Sequence, residues 1–354
     1  MTNQTPASPP PSSGPNIWII GIVAGAATLL LFLAANFGGG SGFLGLFVPL
    51  PSLIAGLAYG WPVAGLAGLV GALLVFFLSQ GSGLAGLLYA VVVAVPVTLL
   101  TQLSGYWRSD DGRMVDAFRQ HPADLPGIDA GDPARWMPLS SILTAIVFLA
   151  SALATMMTLS LGSDELVYKA NVHELVDHFI ETRLGPNLQT PIPPDQLANL
   201  KESAAALLPA TAAVGWMLLM VFNLWLAGRI AAASGLLMRP VPPLRTVALP
   251  RVILFGLGVA LILASIGGVP GRLATAFAGA AVFTLILIGL AVLHEWSLGR
   301  PARPLLLVGV YVGVFFASIL TIPPLVLLAL GDWFFDLRGR ARARGSSPPP
   351  PPSS

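Results

Sequence analysis

Four side chains in one short stretch could bind a divalent cation. Glu174, Asp177, His178 and Glu181 stand at i, i+3, i+4 and i+7, so one helical face carries all four, with His173 adjacent. Imidazole and carboxylate one turn apart can take up such an ion. The same spacing is that of a solvated helix face, opposite the apolar stripe Tyr168, Val172, Leu175, Val176 and Phe179. We read it as that face and assign no metal site. His294-Glu295-Trp296 begins like a zinc-protease helix, but Leu298 stands where the second histidine belongs. Trp296 reads as an interfacial anchor with His294 and Glu295 at headgroup level, a proton relay being the alternative.

Asn223 is the main strongly polar residue inside an apolar block, with Thr98, Thr101 and Gln102 nearer the end of another. A buried amide must find a partner, either a neighbouring helix or a ligand. Helix-to-helix glue is the commoner role of such an amide; the alternative makes Asn223 the candidate substrate-binding residue. There is no cysteine, no phosphate-binding loop and no Ser-His-Asp set at membrane depth. We assign no catalytic residue, no cofactor and no enzymatic activity. The scarcity of ionisable groups inside the blocks argues against a pump driven by membrane carboxylates. It fits an uncharged, amphipathic or lipid-like substrate, or none.

The elements around these residues are apolar. Hydrophobic residues make up 55% of the 354 and charged residues only 10%, with a mean hydropathy of +0.80. Nine blocks stand out: Ile17–Asn36, Phe43–Gly60, Pro62–Ser79, Leu84–Gly105, Pro138–Leu161, Ala206–Ala227, Val252–Gly268, Leu273–Leu293 and Leu305–Leu330. A span needs about 20 apolar residues and must bond its backbone internally. The expected fold is thus all-α, a polytopic helical membrane bundle of eight to ten crossings over 17–337. The first block is expected to be an uncleaved span, since no Lys or Arg precedes it. The Pro/Ser-rich ends, 1–16 and 338–354 with its basic start, are expected to be disordered tails. Pro49-Leu50-Pro51 predicts a broken or unwound start to the second block.

Positive charge sets orientation. Arg108, Arg113, Arg119 and Arg135 follow the fourth block; Arg229, Arg239, Arg245 and Arg251 follow the sixth; Arg300 and Arg303 follow the eighth. Arg338, Arg340, Arg342 and Arg344 follow the ninth, and fall on the wrong side if that block crosses once. A break at Pro323-Pro324 into two legs would resolve the conflict. Both termini are then cytoplasmic, with only Lys169, Arg183, Lys201 and Arg272 outside. The outside segment 163–202 reads as an amphipathic insertion. Ser163 is its expected N-cap, Gly185-Pro186 its stop, and Pro193-Pro194-Asp195 the start of a helix running on into the sixth span. The loop Arg108–Met137 reads as a polar linker with a short helix around Met114–Gln120.

Small residues form ridges suited to close helix contact: Gly21 with Gly25, Gly56 with Gly60, then Gly65, Gly68 and Gly71. Packing within the chain accounts for them, and a partner-subunit face is the sharper alternative. Trp333, Phe334 and Phe335 beside Arg338, Arg340 and Arg342 describe an anchor in the headgroups of an anionic leaflet. Asp332 and Asp336 are expected to pair with arginines or cap helix ends there. The partners expected are membrane lipids and, alternatively, a coupling subunit or another membrane protein. The basic residues lie at span ends and form no stripe for nucleic acid.

Several local features together resemble the YybS-like family of bacterial multi-spanning membrane proteins. They are Pro49-Leu50-Pro51 followed by Gly56 and Gly60; Trp136 and Pro138 before the fifth span; Asn223 with Arg239-Pro240 and Leu249-Pro250; and the ending Leu330-Gly331-Asp332-Trp333 to Asp336-Leu337-Arg338. That family is similar in architecture to the S components of energy-coupling-factor transporters. The resemblance implies a bacterial inner-membrane location. It also implies a substrate-binding subunit of an uptake system that lacks its own ATPase. A non-transport scaffold or assembly protein is the alternative, and an integral-membrane lipid enzyme a third reading.

Overall fold

The computed structural model describes residues 16–37, 42–125, 129, 131–184, 192–241 and 247–340. In chain order its helices are α1 (Ile17–Phe37), α2 (Leu50–Tyr59), α3 (Trp61–Leu78), α4 (Gly83–Tyr89) and α5 (Val95–Ser104). After the strands β1 (Tyr106–Arg108) and β2 (Met114–Asp116) come α6 (Leu139–Ser160), α7 (Glu165–Phe179), α8 (Pro194–Ala233), α9 (Arg251–Ile266), α10 (Gly268–Trp296), α11 (Arg303–Phe316) and α12 (Ser318–Phe335). Among the described residues, seven helical stretches are long and apolar enough to cross a membrane, α4 to α5 counting as one. Three shorter apolar ones are Phe43–Tyr59, Arg251–Ile266 and Arg303–Phe316. Among the described residues the fold is all-α apart from one hairpin, and its helices are those of a multi-pass membrane protein.

The chain divides into two compact units. The first runs to Trp136 and takes in Asn223–Pro240. Here α1 lies on α3 through its glycines. A Cβ at Gly25 would come within 2.5 Å of the Ala67 carbonyl, and one at Gly21 within 3.0 Å of Leu66. Gly56 and Gly68 make the same kind of approach to Thr101 and Ala94, whereas Gly65 has only ordinary contact with Thr98. These ridges are used inside the unit. Thr28 of α1 and Ser52 of α2 share a buried hydrogen bond of 2.9 Å. The fourth block is not one α-helix: a π-helical turn, Ala90–Ala94, joins α4 to α5. Pro96 sits in the first turn of α5 and has no N–H to give to the turn before it.

The loop after α5 departs from the expected linker with a helix at Met114–Gln120. Residues 106–108 pair antiparallel with 114–116, Trp107 opposite Val115. Gly112, at φ 83°, closes the turn. Trp107, Ala117 and Trp136 are buried together as a small core with Val115, Leu125 and Met238 around them. Alternating side chains give the segment the two-residue period of a strand, and tryptophan partners distant in sequence supply the burial.

The second unit is Met137–Phe222 with the chain from Val241. Its α10 is the central helix. A Cβ at Gly279 would come within 2.8 Å of Ala210 of α8, and Gly289 meets the backbone carbonyl of Leu325 of α12 even more closely. The break in the ninth block falls at Ala317 (φ −134°, ψ 45°), and Pro323 and Pro324 lie inside α12. A proline disturbs the turn before it, so the chain bends upstream, and the helix restarts with both prolines in its second turn. No residue of α11 is buried. Helix α8 runs unbroken for 40 residues from Pro194. The cap of α7 is Asp164 and not Ser163: its carboxylate accepts from the N–H of Leu166 at 2.8 Å and of Val167 at 3.3 Å. Ser163 is instead held through its carbonyl by Arg272. Gly185-Pro186 and most of both tails, Arg342 and Arg344 included, lie outside the described residues.

Candidate functional site around Asn223

Leu46 closes a 3-10 turn, Gly42–Phe47, that precedes α2. In such a turn its carbonyl would accept from residue 49. That residue is Pro49, which has no N–H. The carbonyl is instead taken by the side-chain amide of Asn223, 2.6 Å away on α8. Asn223 is fully buried. An apolar surround makes an unmet carbonyl costly, so the gap that Pro49 leaves at Leu46 is filled by an asparagine 177 residues from Leu46. The broken start read from Pro49-Leu50-Pro51 is present, and one polar side chain covers it.

Beyond α2 the chain turns at one residue, Gly60, with φ 97° and ψ 161°. Around this elbow lie Trp61, whose indole N–H donates to Asp116 at 2.8 Å, and Phe118, whose ring fills the place of a Gly60 side chain. His121 Nε2 lies 2.8 Å from the Met238 carbonyl. Arg239 is buried over the Trp136 ring, 5.9 Å from its centroid, with Nη1 3.5 Å from the Ser104 carbonyl. Burial pushes the Arg239 pKa down to about 10, so it remains a cation at neutral pH. Sequence reading found Arg239 as a count of positive charge and as part of the Arg239-Pro240 pair, with no site role. Its burial comes from packing that no local pattern announces.

The set on α7 does not converge. Asp177 pairs with Lys201 at 2.7 Å and His173 with Glu202 at 3.5 Å. Among the described residues no group of three or more His, Asp or Glu is placed to hold a metal. The apolar stripe is divided: Tyr168 and Val172 are buried against Ala205, while Leu175 and Phe179 are exposed. Three of the four cations read as outside pair within this insertion. Lys169 meets Glu202 at 2.8 Å, Lys201 meets Asp177, and Arg272 meets Glu165 at 3.4 Å while stacking on Tyr168. Near the end of α10, His294 Nε2 lies 3.2 Å from the Tyr311 hydroxyl.

At the C-terminal end Arg338 is not a headgroup residue. Its guanidinium is buried and donates to Asp332 at 2.7 and 2.9 Å and to the Val247 carbonyl at 2.9 Å. Asp336 is the left-handed C-cap of α12 and accepts from Gly339 N–H at 3.1 Å. Trp333 is half-buried and stacks edge-on with Phe334, and Arg340 is exposed. Compared with protein-family models, with curated proteins and with solved structures, the chain matches none.

Proposed function

We propose that this chain is a non-enzymatic membrane subunit that binds a substrate for uptake and relies on a partner for energy. The observation that supports this is the interrupted segment Gly42–Tyr59, with its 3-10 start, its 10-residue α2 and a glycine elbow. Non-α backbone within a membrane domain is sustained only where protein or a cavity surrounds it, and interrupted helices are a recurring way to build transport sites. Asn223 would be the polar side chain of that site, releasing the Leu46 carbonyl when a substrate takes its amide. The resemblance to YybS-like proteins and S components supports the same reading. Asn223→Leu is the test. Lost uptake of a substrate identified by mild-detergent purification and mass spectrometry, with folded protein at normal yield, bears the reading out. Retained function with lowered stability removes Asn223 from the site.

A scaffold or assembly role is the second reading. It is favoured by faces that none of the described residues covers: Gly258 on α9 and Gly309 on α11 have no described atom near the place of a Cβ. In either reading the chain sits in a bacterial inner membrane with both termini cytoplasmic and 163–202 outside, as the distribution of Arg and Lys favours. Since the chain has no cysteine, a cysteine at Ser346 should resist an impermeant reagent applied to intact cells. Labelling there would refute this orientation.

A further inference from the structure

We propose that the segment Tyr106–Leu125 is a latch on the α2–α3 elbow, which must lift before α2 can move. The elbow is mechanically weak by construction. Helix α2 has ten residues, a 3-10 turn on one side and, on the other, a single glycine at φ 97°. Only glycine adopts that conformation readily, and hinges absorb motion at such points. The loop grips its α3 side directly and its α2 side through Met238. Asp116 takes the Trp61 indole N–H at 2.8 Å on the α3 side. Phe118 fills the space over Gly60, where a Cβ would lie 2.5 Å from its ring. On the α2 side, Met238 donates its N–H to the Leu57 carbonyl at 3.4 Å, and His121 holds the Met238 carbonyl.

The gripping residues are themselves fixed. Asp116 ends β2 opposite Tyr106, and its other oxygen accepts from Phe118 N–H at 3.0 Å. The Trp107 indole N–H donates to the Gln120 carbonyl at 2.9 Å. Trp107 and Ala117 are buried in one small core, so the hairpin and the residues that follow it are tied together. Beneath the grip, Thr101, Ser104 and Arg239 help line a cavity of about 10 Å³. That is the room of about one water, so the packing there is not fully closed. Parts of a fold can open locally at a lower free energy than the whole. The latch does not depend on whether the elbow serves a substrate.

A cysteine at Thr101 reports opening of the cavity, and one at Ser151 on α6 reports unfolding of the other unit, both in a chain otherwise free of cysteine. Labelling with a small methanethiosulfonate in detergent is compared with and without Trp61→Phe, and independently with Asp116→Ala. Each should raise the Thr101→Cys rate at least about tenfold, the factor for losing one hydrogen bond to a charged group, and leave the Ser151→Cys rate unchanged. The double variant should be no faster than the faster single one, because both remove the same bond. An unchanged Thr101→Cys rate overturns the latch. So does an equal rise at Ser151→Cys, which would make the contact a support of the fold in general.

Discussion

Asp332→Asn should be one of the most damaging single-atom changes in this chain. Its carboxylate accepts three hydrogen bonds from one residue: from the Arg338 N–H at 3.0 Å, Nε at 2.9 Å and Nη2 at 2.7 Å. The side chains are only 9% and 7% exposed. An asparagine has one acceptor oxygen. Turned toward the guanidinium, it sets its NH2 against the Arg338 backbone N–H; turned away, it sets NH2 against a buried cation. Breaking a buried pair by removing one partner costs about 3–5 kcal/mol, because the other charge stays buried. Arg338→Met should cost as much. Asp332→Leu with Arg338→Met should cost less than either single change, since no charge is stranded. Asp336→Asn should fall within about 0.5 kcal/mol of the parent, because asparagine also tolerates the left-handed cap and keeps an acceptor for Gly339. The sequence offers pairing or capping for both aspartates alike; the structure gives Asp332 the pair and Asp336 the cap. The assay is the folded fraction by size exclusion of a fluorescent fusion after heating. At about 2 °C per kcal/mol, Asp332→Asn should lower the midpoint by about 6 °C or more. Equal small shifts for Asp332→Asn and Asp336→Asn, or additive losses in the double variant, would refute the reasoning.

Two further outcomes follow from packing and charge. Gly289→Ala should lower stability by about 1–3 kcal/mol in the same assay, because its methyl meets the Leu325 backbone carbonyl and α10 and α12 must part. Gly258→Ala, with nothing near its Cβ, should stabilise by up to about 1 kcal/mol. Hydrogen bonding from Lys169, then the charges of Lys169 and His173, hold the Glu202 carboxyl below its usual 4.5. A depressed acid stabilises at neutral pH, and that contribution is lost as pH falls through 4.5 toward the lowered value. Hydrogen-exchange protection of α7 should drop in that window, and Glu202→Gln should flatten the dependence. An unaltered profile in Glu202→Gln would place the acid sensitivity elsewhere.

The apolar helices were legible in the sequence because a bilayer imposes a local rule. Each span must be apolar over its own length and bond its own backbone, so composition alone places α1, α3, α6 and α10. Pro49 and Pro51 marked a broken start for the same reason, since a missing N–H is a property of the residue itself. Asn223 stood out as polar, but its partner could not be read, because Leu46 lies 177 residues away. The glycine ridges announced close contact, and only the packed bundle decided that Gly21 and Gly25 face α3. The hairpin at Tyr106–Asp116 escaped the helix reading because Trp107 and Trp136 are brought together by folding, not by spacing. Arg338 counted as one positive charge in a basic run. Tertiary structure turned its side chain inward onto Asp332 and Val247, since a left-handed turn at Asp336 reverses the chain after α12. What the local pattern determines is which segments are apolar helices; which polar groups meet among them depends on contacts distant in sequence, where satisfying a buried donor or acceptor outweighs local preference.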